Sequence, residues 1–226
     1  MGFYTRRIFP RLLDLAMRNP WATRERRRLI PRATGVVLEI GAGPGLNFAH
    51  YTRSTARVVA LEPSPGLARV ASRRRAASGV RIDWVQGVGE TLPLADVSVD
   101  TAVLTWTLCS VADPGRSLAE VRRVLKPAGR LLFVEHGRAP DAAVRRWQER
   151  VTPHWRRFSG NCHLDRPIES LIRGAGFEMV ELEAEYIGLR PKTMTYFYRG
   201  VATPTPPARA SANLTPREAF SMMWAP

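Results

Sequence analysis

Between Glu39 and Glu62 lies a run in which glycine recurs at alternate positions, Gly41-Ala42-Gly43-Pro44-Gly45, followed by Leu46 and Asn47. Glycines at that spacing leave the backbone bare, so a ligand can lie directly against it. A tight turn without a ligand would lose chain entropy at three glycines for no packing return. The flanking acids say what kind of ligand is expected. A pyrophosphate would be repelled by Glu39, two residues ahead of the loop, whereas an ammonium or a sulfonium would be attracted. A dinucleotide-binding turn also needs its third glycine three positions after the second, and Leu46 stands there. Glu62 follows the loop by about 20 residues, where a carboxylate can accept from both ribose hydroxyls. Residues 86–93, with Gly87, Gly89, Glu90 and Pro93, offer apolar side chains and backbone groups to an adenine. The ligand that joins these parts is S-adenosylmethionine. Its expected binding set is Glu39, Gly41, Ala42, Gly43, Gly45, Asn47, Glu62, Pro63, Gly89, Glu90 and Thr105.

Such a donor is already activated, so the protein must position a nucleophile and exclude water. A thiol acceptor, with a pKa near ~8.5, gains from a base that helps form the thiolate. His136, at the end of an expected strand, is the first candidate for that base, and His163 the second. His136 reads equally well as a histidine bonded to backbone or to Glu135. His50 and His154 have less support. Cys109 and Cys162 could touch substrate, although each is more simply a small buried residue. No metal site is expected.

These residues need a frame, and the apolar pattern supplies one. Strands are expected over residues 35–40, 57–63, 80–86, 100–106 and 130–135, with helices after the glycine loop to Tyr51, over 65–77 and over 117–125. Strand and helix alternating five times is the pattern of a parallel sheet covered on both faces. All the expected donor-binding loops then fall at carboxyl ends of strands, where such sheets bind ligands. Residues 141–159 read as an inserted helical cap rich in Arg and Trp. Asp165 is expected to cap a helix with Pro167 in its first turn. Two further strands are expected at 178–187 and 194–202, joined through Pro191. Residues 3–18 have helical spacing interrupted by Pro10, and suit a core-packing helix, a lid or a membrane-surface contact. Arg24, Arg26, Arg27 and Arg28 read as the solvated face of a second helix. The expected organisation is an N-terminal helical lid over 1–34, a main domain over 35–202 with its cap near 141–163, and a disordered Pro-rich tail over 203–226.

The 226 residues carry a net charge of +14, almost wholly through arginine, since only Lys126 and Lys192 are lysines. A hydrophobic content of 45% excludes wholesale disorder. Two cysteines imply no disulfide framework, residues 1–15 lack the apolar core of a signal peptide, and no run approaches the ~20 apolar residues of a membrane span. A cytoplasmic protein, at most peripheral at a membrane through residues 3–18, is expected.

The motifs resemble those of the class I S-adenosylmethionine-dependent methyltransferases of the type 11, quinone-biosynthesis-like group. Leu38-Glu39-Ile40-Gly41-Ala42-Gly43-Pro44-Gly45 is similar to their first motif. Gly89-Glu90-Thr91-Leu92-Pro93-Leu94 with Ser98-Val99-Asp100, and Glu120-Val121-Arg122-Arg123-Val124-Leu125-Lys126-Pro127-Ala128-Gly129, resemble two later ones. A narrower similarity, to methyltransferase-like alkyl thiol S-methyltransferases and in part to bacterial phospholipid N-methyltransferases, lies in Leu108-Cys109-Ser110-Val111, Phe133-Val134-Glu135-His136, Trp147, Pro153-His154-Trp155 and residues 160–166. The resemblance implies an α/β, Rossmann-like sheet of seven strands, mostly parallel with the last antiparallel. It also implies methyl transfer to a small or lipophilic acceptor, a thiol first, with a phospholipid amine or a quinol as alternatives. Two departures stand out. Many relatives have an acid where Val88 stands, and the animal thiol enzymes begin with an apolar membrane anchor that this sequence lacks. Enzymes that methylate base amines usually carry an Asn/Asp-Pro-Pro-aromatic motif after the fourth strand. Here Thr105-Trp106-Thr107-Leu108 takes its place, so no nucleic-acid partner is expected. The reading from another class is a basic RNA- or membrane-binding module with a vestigial cofactor site.

Overall fold

The computed structural model describes residues 4–188 and 191–206, the side chains of Thr5 and Arg6 aside. A seven-stranded sheet forms the centre, in the order β3-β2-β1-β4-β5-β7-β6. Its strands are β1 (Gly35–Ile40), β2 (Thr55–Leu61), β3 (Ile82–Val85), β4 (Val99–Thr105), β5 (Leu125–His136), β6 (Phe177–Tyr186) and β7 (Tyr196–Pro204). The first five pair in parallel, and β7 runs antiparallel to both β5 and β6. The strand runs are almost continuously apolar because both faces are buried. Adjacent residues of one strand therefore feed opposite cores: Leu38, Ile40, Leu104, Leu131 and Phe133 pack on one face, and Val37, Val103, Leu132 and Val134 on the other.

Six helices cover the sheet: α1 (Phe9–Ala16), α2 (Pro20–Leu29), α3 (Pro65–Ala76), α4 (Pro114–Val124), α5 (Ala142–Trp155) and α6 (Ile168–Gly174). Three of them start in the same way, with a capping side chain and then proline. Asn19 accepts from the Ala22 N–H at 2.9 Å, Ser64 from Leu67 at 3.4 Å and Asp113 from Arg116 at 3.0 Å, ahead of Pro20, Pro65 and Pro114. Pro10 falls in the first turn of α1, after a π-helical turn at Tyr4–Ile8, so the helix does begin near the proline.

Four local expectations are corrected. No α-helix follows the glycine loop; Phe48–His50 is a single 3-10 turn, because Tyr51 turns to extended backbone and places its hydroxyl on Glu39 at 2.8 Å. Asp165 does not cap α6, which starts at Ile168 behind Pro167 without a side-chain cap, while the Asp165 carbonyl accepts from Arg138 Nε at 3.0 Å. Arg26 is not on a solvated face: it is 5% exposed and turned inward with Ala22, Glu25 and Leu29. Thr203 and Pro204 are not tail but the end of β7, paired with Glu178 and Phe177. The rest of the expected tail, residues 207–226, lies outside the described residues, as do Leu189 and Arg190 in the β6–β7 connection.

Candidate active site

The carboxyl ends of β1, β2 and β4 converge on the glycine loop. Gly41 leaves β1 with φ +68°, and a Cβ there would meet Thr107 Oγ1 at 2.4 Å, so loop and β4 end touch at a point where only hydrogen fits. Gly45, at φ +75°, packs under the Phe48 ring in the same way. Glu39 lies beneath the loop, accepting from Asn47 Nδ2 at 2.9 Å and from the Tyr51 hydroxyl. Asn47 Nδ2 also donates to Thr105 Oγ1 at 2.9 Å. Burial pushes the Glu39 carboxyl up to about 7, against the opposing pull of Tyr51, Asn47 and Arg26. Glu62, at the end of β2, accepts from the N–H groups of Gly43 at 3.0 Å and Ser64 at 2.9 Å; burial raises its pKa and those two bonds oppose the rise.

A cavity of about 530 Å³ opens above these groups. Gly41, Gly43, Glu62, Pro63, Gly89 and Glu90 line it on the sheet side. Tyr4, Phe9 and Leu13 of the N-terminal segment and Phe158 after α5 also line it and make that part mostly apolar, with Arg156 and Arg157 beside Phe158. A smaller recess of about 70 Å³ adjoins it, lined by Ala42, Asn47, Thr105, Trp106 and Arg26, and shares Gly41 and Gly43. Most of the expected donor-binding residues thus line two spaces that share Leu13, Gly41 and Gly43. Glu39 sits below both, and Gly45 lines neither. The Glu90 carboxylate accepts from the Asp113 N–H at 3.0 Å, tying the adenine-side loop to the start of α4.

Arg26 is the residue that sequence reasoning missed on this side. Its Nε donates to Asn47 Oδ1 at 3.1 Å, its Nη1 to the Met17 carbonyl at 2.8 Å, and its guanidinium lies 4.7 Å over the Trp106 ring. Burial pulls its pKa down to about 10, with Glu39 opposing. The signal was present: Ala22, Arg26 and Leu29 share one helical face, and two of the three are apolar.

The other side of the site is stitched from loops. Glu135, fully buried in β5, accepts from the N–H groups of Thr107 and Leu108 at 2.8 Å and of Cys109 at 3.2 Å. Arg166, the second residue missed, donates to the carbonyls of Leu108 and Val111, the latter at 2.7 Å. Asn161 Nδ2 reaches the Ser110 carbonyl at 2.9 Å, and the His163 N–H reaches the Cys109 carbonyl at 2.8 Å. Residues 107–111 and 160–166 therefore hold each other.

His136, 7% exposed, is brought against Cys162, whose Sγ lies 3.6 Å from both ring nitrogens. It does not line the cavity, although Ser110 and Asn161, the chain neighbours of Cys109 and Cys162, do. His163 also stands off the cavity, with Nδ1 4.0 Å from Asp165, and burial lowers its pKa. His50 lies in the 3-10 turn and His154 is exposed on α5, away from either group.

A family described as "Methyltransferase domain" matches residues 38–133. The chain is 36% identical to the thiol S-methyltransferase TMT1B of Rattus norvegicus over 65% of its own length and 62% of that protein's, and so spans less than two thirds of that relative. It is 32% identical to the demethylmenaquinone methyltransferase of Clavibacter sepedonicus over 75% of its length and 76% of that protein's. Among solved structures, the 1,6-didemethyltoxoflavin-N1-methyltransferase of Burkholderia thailandensis, with S-adenosylhomocysteine bound, superposes with a TM-score of 0.61 at 21% identity. That match covers 87% of this chain and 84% of that one, and speaks to the fold. Glycine loop, sheet order and these likenesses agree: the chain belongs to the class I S-adenosylmethionine-dependent methyltransferases.

Proposed function

We propose that this chain binds S-adenosylmethionine across the glycine loop and transfers its methyl group to a small thiol seated in the apolar part of the cavity. The observation that carries the reading is one continuous space of about 530 Å³ with Glu62 and the bare glycine backbone on one wall and Tyr4, Phe9, Leu13 and Phe158 on the other. That size is in the roughly 300–1,000 Å³ range of small-molecule sites. The chain fits the donor. The Glu62 carboxylate suits a ribose diol, Asn47 in the smaller recess suits the amino-acid end with Glu39 holding it from below, and residues 87–90 suit the adenine. Val88 offers the adenine amino group no side-chain acceptor, so that group is left to backbone.

When bound, the donor supplies an electrophilic methyl on a sulfonium. The chain's own residues then fix the donor's two ends, press the acceptor against it beneath α1 and residues 156–161, and keep water out. In the transfer a carbon–sulfur bond forms to the acceptor as the sulfonium bond breaks. The acceptor would lose its thiol proton to solvent before it is closed in, and the products would be a thioether and S-adenosylhomocysteine. Both histidines belong to this proposal as acceptor-side groups, His136 acting through its contact with Cys162 and His163 through the loop it anchors.

The second reading, a quinol or a phospholipid amine, draws on the likeness to the demethylmenaquinone enzyme and on the apolar wall. S-adenosylhomocysteine release against alkyl thiols, quinols and phosphatidylethanolamine separates them. Turnover on thiols is the expected result, and turnover confined to the other acceptors refutes it. Steep salt-dependent RNA binding without turnover would support the basic-module reading instead. No helix among the described residues is long and apolar enough to cross a membrane. We further propose peripheral contact through α1 and the π-helical turn before it, where Leu12 and Leu15 of the helix and Ile8 of the turn are exposed beside Arg7 and Arg11.

A further inference from the structure

We propose that Cys109, His136 and Cys162 form a three-ligand site for a soft divalent cation, with Zn²⁺ as the ion of best fit. The three come from different elements: the loop after β4, the end of β5, and the loop after α5. Their ligand atoms nevertheless all lie within 4.8 Å of one another. Cys162 Sγ is 3.4 Å from Cys109 Sγ and 3.6 Å from the imidazole nitrogens.

Those separations match the edges of a metal tetrahedron. With Zn–S bonds of ~2.3 Å and Zn–N bonds of ~2.0–2.1 Å, an S···S edge is about 3.8 Å and an S···N edge about 3.5 Å. Two of the three edges are within a few tenths of an ångström of those values, and the third, from Cys109 Sγ to the imidazole, lies within 4.8 Å. The sulfur pair is far beyond the ~2.05 Å of a disulfide bond, and both cysteines are free.

The support around the ligands is what a metal site requires. Glu135 fixes the backbone of Cys109 and its two predecessors, Arg166 holds the carbonyls of Leu108 and Val111, and the His163 N–H holds that of Cys109. Cys109 is thus positioned through its main chain and Cys162 through its neighbours Asn161 and His163, with the two sulfurs 3.4 Å apart.

Two thiolates and a neutral imidazole select zinc-like ions over magnesium or calcium, which prefer oxygen. Binding releases the two thiol protons to solvent, so two thiolate charges cancel the ion's. His136 is then a ligand and not a free base. Three protein ligands leave one position of a four-coordinate ion open, the arrangement found in catalytic zinc sites. Water would hold it at rest. Resting on the thiol reading above, an acceptor thiolate that reached the ion would displace that water; Ser110 and Asn161, the chain neighbours of two ligands, line the cavity.

The test uses the full chain loaded with Zn²⁺, desalted and assayed for metal by plasma mass spectrometry. About one zinc per chain is expected, falling at least tenfold in Cys162→Ser and in Cys109→Ser. Calorimetric binding of S-adenosylhomocysteine by the variants, unchanged within about twofold, shows that the fold survives. Should a variant fail to fold, loading the wild-type chain with Co²⁺ gives a second readout: intense thiolate-to-cobalt charge-transfer bands are expected. Absence of zinc and of those bands in the wild type, equal zinc in the Cys162→Ser variant, or a Cys109–Cys162 disulfide in the chain as purified overturns the site. Adding an alkyl thiol to the cobalt form should shift its spectrum. An unshifted spectrum on a loaded site overturns the thiol-holding role and leaves the metal assignment standing.

Discussion

Replacing Glu62 by alanine isolates the donor side of the site. In the structure its two carboxylate oxygens are each committed to one backbone N–H, of Gly43 and of Ser64, and remain at the cavity wall. A ribose diol would add two further hydrogen bonds to the same charged group. Such bonds are each worth roughly 1.5–3 kcal/mol, and about 1.4 kcal/mol is a factor of ten. Loss of one bond therefore weakens S-adenosylmethionine binding about tenfold or more, and loss of both more than about a hundredfold. Glu62→Gln should fall between, since its amide keeps one acceptor but turns an NH₂ group towards a backbone N–H. Calorimetry with S-adenosylmethionine and S-adenosylhomocysteine measures the effect, with a thermal melt to show that the variant is folded. The charge matters too: because burial raises the Glu62 pKa, wild-type affinity should begin to fall above the usual carboxylate range as the pH is lowered. A folded Glu62→Ala variant with affinity within twofold of the wild type would refute the assignment of Glu62 to the ribose.

Gly41→Ala must place a Cβ 2.4 Å from Thr107 Oγ1 at φ +68°, so a loss of about 1–3 kcal/mol is expected; a Tm lowered by several degrees in calorimetry checks it, and an unchanged Tm refutes the strain argument. Hydrogen bonding to Arg123 pushes the Glu120 pKa down to about 2, so its stabilisation is complete above its ordinary value near 4.5 and is lost as the pH falls towards 2. The stability gap between wild type and Glu120→Gln should close over that window, and a gap that persists at pH 2 counts against the pairing. Leu15 and Leu12 are 70% and 51% exposed on α1. Replacing both by glutamine should cut flotation with anionic liposomes severalfold while leaving S-adenosylhomocysteine affinity intact; equal flotation would remove α1 from any membrane contact.

The strands that carry the proposed donor side were legible because their signals are local. Val37 to Ile40, Val58 to Leu61 and Ala102 to Leu104 are buried and, Glu39 apart, apolar runs, and a strand buried on both faces declares itself without knowledge of its neighbours. What failed was set by tertiary partners. Residues 46–51 would suit a helix, but Tyr51 is drawn onto Glu39. Arg26 sits in a run of arginines whose composition says surface, yet its phase on α2 says interior. The Cys–His–Cys grouping is the extreme case. Cys162 is 26 residues from His136 and 53 from Cys109. Metal spacings readable in a sequence are those of ligands on one turn or one knuckle. Only a sheet that brings β4 and β5 side by side, and a returning loop after α5, makes a cluster of the three.

Part of the positive charge of the chain has a structural use in the same geometry. A net +14 invites a polyanion as partner. Several of the arginines are instead directed onto carbonyl oxygens of loops and helix ends. Arg26 takes Met17, Arg74 takes Pro44, Arg123 takes Leu92 and Leu94, Arg138 takes Asp165, and Arg166 takes Leu108 and Val111. A guanidinium has five donors in a rigid fork, and can hold two carbonyls, or a carbonyl and a carboxylate, at once; an ammonium has no such fixed spread. Arg74 does the latter, joining Pro44 in the glycine loop to Asp14 in α1, so the cover over the cavity and its floor share one cation. Arginine here acts as a clamp on the loops that border the cavity. Those loops lack a regular hydrogen-bond ladder, and without these bonds their carbonyls would lose partners where the site needs them fixed.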